Sequence, residues 1–508
     1  MLKAQNLALN SAHHAFALLF LLAIGLGYQY LYSSVDSSLL MILAAILGGY
    51  LALNIGANDA GNNIGPLVGS AVISLTAAML FAALFEAAGA FLAGGEVIST
   101  IKRGIVDTHQ FSDAETITHA MFSAMLATAI WLNIATLTGT PVSTTHTIVG
   151  GVLGAGITVG GLSVVNWHTL TTITIGWFFS PVLGGVIAAL LLYLIKRTIT
   201  YQEKMSQAAG RVLPLLVGFM AWSFATYLMI KGVKASWRVD FLTALTCGFA
   251  IGLGVYMVTK PTILQRTALL PNTKSAVNRL FNIPLIFAAG LLSFAHGSND
   301  VANAIGPVIA IKEALLMNGE AASTNIRLWG LLIGAIGIPL GLVLYGKRLI
   351  KTVGSEITEL DQVRAFCIVM SVTITVLLAS QFGLPVSSTH TAVGAIFGIG
   401  FLREILKTNY AILLETLRRQ HQYQDQTLVE SFISQFDNAS FNDKGHLLTE
   451  LNRSDSRLRL STKERTSLQK LYRQEIVKRS TFVRIILAWV VTVPVAAALA
   501  SLIYLLIA

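Results

Sequence analysis

The sequence predicts an all-α polytopic membrane protein built from two related halves, and three observations predict it. Of its 508 residues, 54% are hydrophobic and only 12% charged, whereas soluble domains are typically about 25% charged. Apolar runs close to the ~20 residues that cross a bilayer recur along the whole chain. One polar signature then appears twice inside apolar sequence, as Gly56-Ala57-Asn58-Asp59-Ala60-Gly61-Asn62-Asn63-Ile64-Gly65-Pro66 and as Gly297-Ser298-Asn299-Asp300-Val301-Ala302-Asn303-Ala304-Ile305-Gly306-Pro307. A second pair follows in the same order, Pro141-Val142-Ser143-Thr144-Thr145-His146 and Pro385-Val386-Ser387-Ser388-Thr389-His390. The spacings, 300 − 59 = 241 and 385 − 141 = 244, nearly agree, as in a duplicated unit.

The apolar runs lie at 14–32, 38–55, 74–94, 118–138, 169–195, 213–231, 240–259, 281–296, 327–345, 363–382 and 483–507. The first follows Met1-Leu2-Lys3 with no clean small-x-small cleavage site after it, so it reads as a retained helix and not a signal peptide. Residues 145–162 and 389–402 are shorter, Gly-rich and follow the Pro-Val-Ser motifs. They are expected as half-helices or re-entrant segments, giving roughly eleven to thirteen membrane elements.

The organisation that follows is a first membrane repeat over 1–195, connecting helices and loops over 196–280 and a second repeat over 281–402. An insert over 403–480 and a last membrane helix over 481–508 complete it. The insert mixes both charge signs and spaces its apolar residues as one or two amphipathic helices would, which suits a cytoplasmic position. The net charge of +10 sits in short loops and in the insert, a topology signal rather than a nucleic-acid surface. Lys196, Arg197, Lys204 and Arg211 mark one cytoplasmic loop, and Lys260, Arg266, Lys274 and Arg279 another, while Lys231, Lys234 and Arg238 between them would face outward against the rule. Cys247 and Cys367 lie in apolar runs and behave as small hydrophobes.

Each motif gathers Gly, Pro, Asn, Ser and Thr where an unbroken helix would satisfy its own backbone. Helix breaks are therefore expected there, with Gly56, Gly65, Gly297 and Gly306 allowing them, and breaks at membrane depth mark a cavity. The Pro-Val-Ser segments read as helix starts, Pro fixing φ and hydroxyls capping. Such starts aim free N–H groups and positive dipole ends inward, beside Ser143, Thr144, Thr145, Ser387, Ser388 and Thr389, and so form an oxyanion site without a fixed charge.

No Lys or Arg falls in the four segments, whereas Asp59 and Asp300 do, with Asn58, Asn62, Asn63, Asn299 and Asn303. Carboxylates repel an anion unless a cation or proton intervenes, and their oxygens with those of amides suit a hard cation such as Na⁺. The expected design binds anion and cation together. Either motif alone would read as a turn or an ordinary helix cap, and recurrence in the same order shifts the reading to a site. His146 and His390 hold equal places and could relay protons, but are read as hydrogen-bonding across a helix break. Glu86, alone in a long apolar run, is a functional candidate without an acidic counterpart in the second half.

These residues resemble the inorganic phosphate transporter family, PiT. The match rests on the two Gly-x-Asn-Asp segments with their Gly-Pro ends and on both Pro-Val-Ser-(Ser/Thr)-Thr-His segments, with a weaker addition at Thr100-Ile101-Lys102-Arg103-Gly104-Ile105-Val106-Asp107. It leaves 403–480 and the extreme termini uncovered. Asp59-Ala60-Gly61-Asn62 stands where the family commonly has Asp-Val-Ala-Asn, as the second copy does, and the change keeps small residues. The resemblance implies an inverted-repeat transporter with a midplane site that moves inorganic phosphate with Na⁺ or H⁺ by alternating access.

The function expected is secondary active import of phosphate by symport, with no enzyme activity and no cofactor beyond the coupling ion. Phosphate oxygens are assigned to Ser143, Thr144, Thr145, Ser387, Ser388 and Thr389, joined by Asp59 and Asp300, to which a protonated phosphate can donate. The cation is assigned to Asn58, Asp59, Asn62, Asn299, Asp300 and Asn303, with Na⁺ at Asp59 and Asp300. A sulfate permease of the same fold is the first alternative. A membrane-embedded hydrolase using the aspartates and histidines is the second, and duplication of every group argues against it. The expected partners are phosphate, the cation, the bilayer of a cell (inner) membrane and a second copy in a homodimer, with no nucleic acid.

Overall fold

The computed structural model describes residues 2–32, 39–111, 113–138, 140, 142–231, 239–316, 325–351, 360–406, 431, 434–435 and 479–508. They are helical almost throughout, apart from an isolated antiparallel bridge between Val106 and Val165. The helices are α1 (Leu2–Tyr32), α2 (Leu39–Gly69), α3 (Leu75–Ala93), α4 (Gly95–Ser99) continued by a π-turn (Thr100–Gly104), α5 (Ala114–Thr138) and α6 (Thr144–Gly160). Next come α7 (Trp167–Ile195), α8 (Met205–Lys231), α9 (Phe241–Leu269), α10 (Lys274–Leu280) and α11 (Asn282–Leu316). The last are α12 (Asn325–Tyr345), α13 (Lys347–Lys351), α14 (Gln362–Gln381), α15 (Ser388–Leu406) and α16 (Arg479–Ile507). Among the described residues eleven helices are long and apolar enough to cross a membrane, or up to twelve if the bent pair α10–α11 is one span. The insert expected at 403–480 lies almost wholly outside the described residues.

Two compact units emerge, one comprising Met1–Ile399 with Arg479–Ala508 and the other Gly400–Lys478. Within the first, equivalent close approaches occur twice. A Cβ on Gly56 of α2 would meet Ile338 O of α12 at 1.8 Å, and one on Gly297 of α11 would meet Glu86 O of α3 at 2.2 Å. Gly89 and Gly341 repeat the pattern against Phe294 O and Leu53 O, each at 2.0 Å. The differences 338 − 86 and 341 − 89 are both 252, so α3 corresponds to α12 as α2 does to α11. Helices in lipid associate through such small-residue contacts, because apolar burial alone does not favour them over lipid tails.

Gly48 and Asp59 of α2 lie beside Val308 and Asp300 of α11, and Ala71, just past α2, shares a pocket with Asn282 at the start of α11. The two motif helices therefore run antiparallel, as an inverted repeat requires. The halves also exchange their last helices: Gly154 of α6 packs on Ala497 of α16, and Gly394 of α15 on Pro181 of α7.

Two expectations are corrected. Helix α2 runs unbroken through Gly56 and Gly65, and α11 through Gly297 and Gly306. Gly56 and Gly297 permit backbone contact with a crossing helix instead of a break, and a Cβ on Gly306 would meet Ile101 at 2.8 Å. The breaks fall only at the Pro-Val-Ser segments, between α5 and α6 and between α14 and α15. The segments expected as half-helices are longer than that: α6 has 17 residues and α15 has 19. With the short turn after it, Thr144–Val164 is long and apolar enough to span.

Candidate functional site

The crossing of α2 and α11 brings Asp59 and Asp300 together, both fully buried. Thr144, the first residue of α6, has its Oγ1 3.0 Å from Asp59 Oδ2 and 3.2 Å from Asp300 Oδ2. One hydroxyl proton serves two carboxylates, so it satisfies one at a time. Asn58 Nδ2 donates to Asp59 Oδ1 at 3.0 Å and to Val142 O at 2.8 Å. Asn299, oriented like its counterpart, donates to Asp300 Oδ1 at 2.9 Å and to Val386 O at 3.2 Å. These asparagines meet the carbonyls freed where the chain is extended before α6 and α15, groups that membrane burial does not leave unpaired.

The halves interlock across the site. Asn62 donates to Thr389 Oγ1 at 2.8 Å, and Asn303 donates to Thr145 Oγ1 at 3.1 Å. Thr389 in turn donates to Asp59 Oδ1 at 2.9 Å, and Thr145 to Val386 O at 3.2 Å. Of the eight residues assigned to substrate, Asp59, Asp300, Thr144 and Thr389 thus form one hydrogen-bonded cluster, with Thr145 at its edge. Ser143 and Ser387 act as N-caps, each accepting the backbone N–H of His146 or His390 at 3.1 Å. Ser388 Oγ is buried without a hydrogen-bond partner.

His146 and His390 stand outside the carboxylate cluster. Their rings lie 4.2 Å apart between centroids at a tilt of 39°, with Trp177 3.8 Å from His146 and Trp489 stacked 3.6 Å from His390. His146 Nδ1 also lies 2.6 Å from Ser143 Oγ. The column joins α7, α6, α15 and α16 where the halves meet.

Glu86 finds its partner in a residue that a search for duplicated motifs passes over. His296, immediately before Gly297, places Nδ1 2.9 Å from Glu86 Oε1 and Nε2 3.2 Å from Asp300 Oδ2 and 3.5 Å from Asp59 Oδ2. Asn63 Nδ2 donates to the same Glu86 oxygen. Among the described residues His296 is the only ion-pair partner of these three buried carboxylates. The available signal was a lone His ending an apolar run, where the first copy has Ile55.

Which group the site could hold follows from its unpaired atoms. The Oδ1 atoms of Asn58, Asn62, Asn63 and Asn303 are buried with no hydrogen-bond partner. One ligand atom each of Asp59, Asp300 and His296 lies within 4.8 Å of the others. Carboxylate and amide oxygens are the donor set a hard monovalent cation takes. Without positive charge brought in, three carboxylates against one imidazole would repel an anion strongly in so dry a place.

A family model described as "Phosphate transporter family" matches residues 55–500. The chain belongs to the phosphate transporter family. Relatives named "Putative phosphate permease" include one from Helicobacter pylori, 47% identical over 82% of this chain and 80% of that protein. Another, from Pyrococcus abyssi, is 36% identical over 65% of this chain and 81% of that protein. A solved structure titled "The sodium-dependent phosphate transporter" is similar with a TM-score of 0.73 and 28% identity, over 92% of this chain and 99% of that one. The protein is therefore an integral membrane transporter and not an enzyme, which removes the hydrolase reading.

Proposed function

We propose that this family member imports inorganic phosphate by symport with Na⁺ or H⁺, with the anion and the cation meeting between α2, α11 and the starts of α6 and α15. The observation that carries the reading is the unpaired amide oxygens of Asn58 and Asn62, whose amide nitrogens both reach Asp59, together with that of Asn303, three residues after Asp300. They supply acceptors and no positive charge, so an anion enters with its own cations or protons. Na⁺ fits the oxygen set, and the solved relative's title names sodium.

Phosphate oxygens then take hydrogen bonds from Thr144, Ser388 and Thr389 and from backbone N–H groups at the two helix starts. Asn58, Asn62, Asn299 and Asn303, with Asp59 and Asp300, hold the cation. Near neutral pH phosphate keeps a proton that an aspartate can accept, whereas sulfate has none to donate. A site built around that donor can reject a ligand lacking it by ~10⁴. Labelled phosphate uptake into proteoliposomes with unlabelled competitors tests this. Arsenate should compete and sulfate should not, and equal competition by sulfate would replace the phosphate reading with the sulfate one.

A further inference from the structure

A cavity of about 570 Å³ lies away from the carboxylates, where α2 ends and α11 and α14 begin. Its walls include Lys274, Ser275, Asn278, Arg279, Asn282 and Gln362. Three membrane-crossing elements terminate there, so the cavity sits at headgroup depth. The same end carries Lys196, Arg197 and Lys204 after α7 and Arg266 in the last turn of α9, and the two connections are joined by Asn272, which accepts from Ser206 N at 3.2 Å and donates to Glu203 O at 2.6 Å. By the distribution of basic residues this end is cytoplasmic.

The chemistry of the walls suits a phosphate group. Asp361 also lines the cavity, but Arg364 engages both its oxygens, through its backbone N–H and its guanidinium, each at 2.9 Å. Burial alone would raise the Asp361 carboxyl, yet Arg364, and Lys274 more weakly, hold it below the ordinary carboxylate value. Lys274 and Arg279 are exposed to the cavity mouth, and with Arg364 they outweigh the one carboxylate by two charges. Hydroxyl and amide donors complete the wall.

Two further features point to what presents that phosphate. Ala71, on the rim, holds a left-handed backbone at φ 57°, an unfavourable conformation for a residue with a side chain, and Gln362 Nε2 donates to neighbouring Ser70 O at 3.3 Å. Beside the cavity, Ile283 and Phe287 follow Asn282 on α11 and are 51% and 54% exposed, an apolar track one turn long running into the membrane. An ion in water has no use for such a track, whereas acyl chains do.

We propose that this cavity binds the phosphate of an anionic lipid headgroup from the cytoplasmic leaflet, tying the end of α2 to the starts of α11 and α14. Basic pockets between membrane helices on the cytoplasmic side take such headgroups, with each Lys or Arg contributing about 1 kcal/mol near the surface. The site is separate from the transport cluster, and its test does not depend on what is transported.

The experiment compares the full chain in nanodiscs of phosphatidylcholine alone and with about 20 mol % phosphatidylglycerol, which supplies the anionic headgroup. Thermal unfolding and lipid retained through native mass spectrometry are read. Phosphatidylglycerol should raise the unfolding temperature of the wild type and co-purify with it. In Lys274→Gln/Arg279→Gln the shift should vanish and retention weaken about 30-fold, the effect of two lost basic contacts. Lys274→Arg/Arg279→Lys should keep both, separating charge from misfolding. No phosphatidylglycerol effect in the wild type overturns the proposal. So does stabilisation by millimolar inorganic phosphate in phosphatidylcholine that the Gln variant loses, since the cavity would then take the free ion; phosphate stabilisation that survives in the variant belongs to the transport site and leaves the proposal standing.

Discussion

His296 Nδ1 of the second half lies 2.9 Å from Glu86 Oε1 of the first, and the two positions that the repeat makes equivalent to them hold Ile55 and Ile338, both fully buried. The otherwise duplicated site is thus polarised: the crossing of α3 with α11 holds a titratable pair behind the carboxylates, and the equivalent crossing of α2 with α12 holds hydrocarbon.

Removing one member of the pair should cost more stability than removing both. His296→Ile leaves Glu86 buried with Asn63 as its one remaining partner among the described residues, a loss of about 3–5 kcal/mol for a broken buried pair. The double variant His296→Ile/Glu86→Ile reproduces the apolar arrangement of the α2–α12 crossing and should recover most of that stability, while phosphate uptake is lost. Thermal unfolding of the two single variants and the double variant measures the coupling. Additive losses would show that the pair does not act as a unit.

The hydroxyl between the aspartates gives a second expectation. Thr144→Val keeps shape and removes the donor shared by Asp59 and Asp300. Leaving a buried charged group without its donor costs about 1–3 kcal/mol, so uptake should fall by tenfold or more with expression unchanged. Ser143→Ala, which removes a helix cap accepting His146 N–H, should instead lower stability by about 1 kcal/mol. If the two variants showed the same profile, the division between cap and site would be wrong.

Much of this was legible in the chain because duplication amplifies weak signals. The paired Asn-Asp and Pro-Val-Ser motifs predicted which residues converge, and Asp59, Asp300, Thr144 and Thr389 do so. What periodicity could not show was that Gly56 and Gly297 serve a crossing helix: a glycine that allows a break and one that allows backbone contact look alike in sequence, and the partners, Ile338 and Glu86, are remote. His296 was hidden for the opposite reason, since a rule that seeks repeated residues discards the one position where the copies differ. The exchange of α7 and α16 between halves was also beyond reach, because the insert breaks the spacing of the second copy.

The crossing glycines can be tested directly. Gly297→Ala would place a methyl group 2.2 Å from Glu86 O, and Gly56→Ala one 1.8 Å from Ile338 O. Overpacking of this kind costs about 1–3 kcal/mol, and because backbone must move, uptake should fall in both. Gly27→Ala, whose Cβ meets nothing within 4 Å, is the control and should match the wild type in thermal unfolding.

The segment 425–470 contains none of the four motifs. Replacing it with a flexible linker should leave uptake within about twofold of the wild type, since the repeats build the site. A well-expressed deletion that no longer transports would place the segment inside the mechanism.

The central claim is that Asp59 and Asp300 couple anion movement to a cation. It is tested most directly by labelled phosphate uptake into proteoliposomes with a Na⁺ gradient or a pH gradient imposed separately, for the wild type, Asp59→Asn and Asp300→Asn. One gradient should drive the wild type to accumulate phosphate above its external concentration, and neither gradient should do so in the folded variants. Accumulation by either variant at the wild-type level, or wild-type uptake indifferent to both gradients, would contradict it.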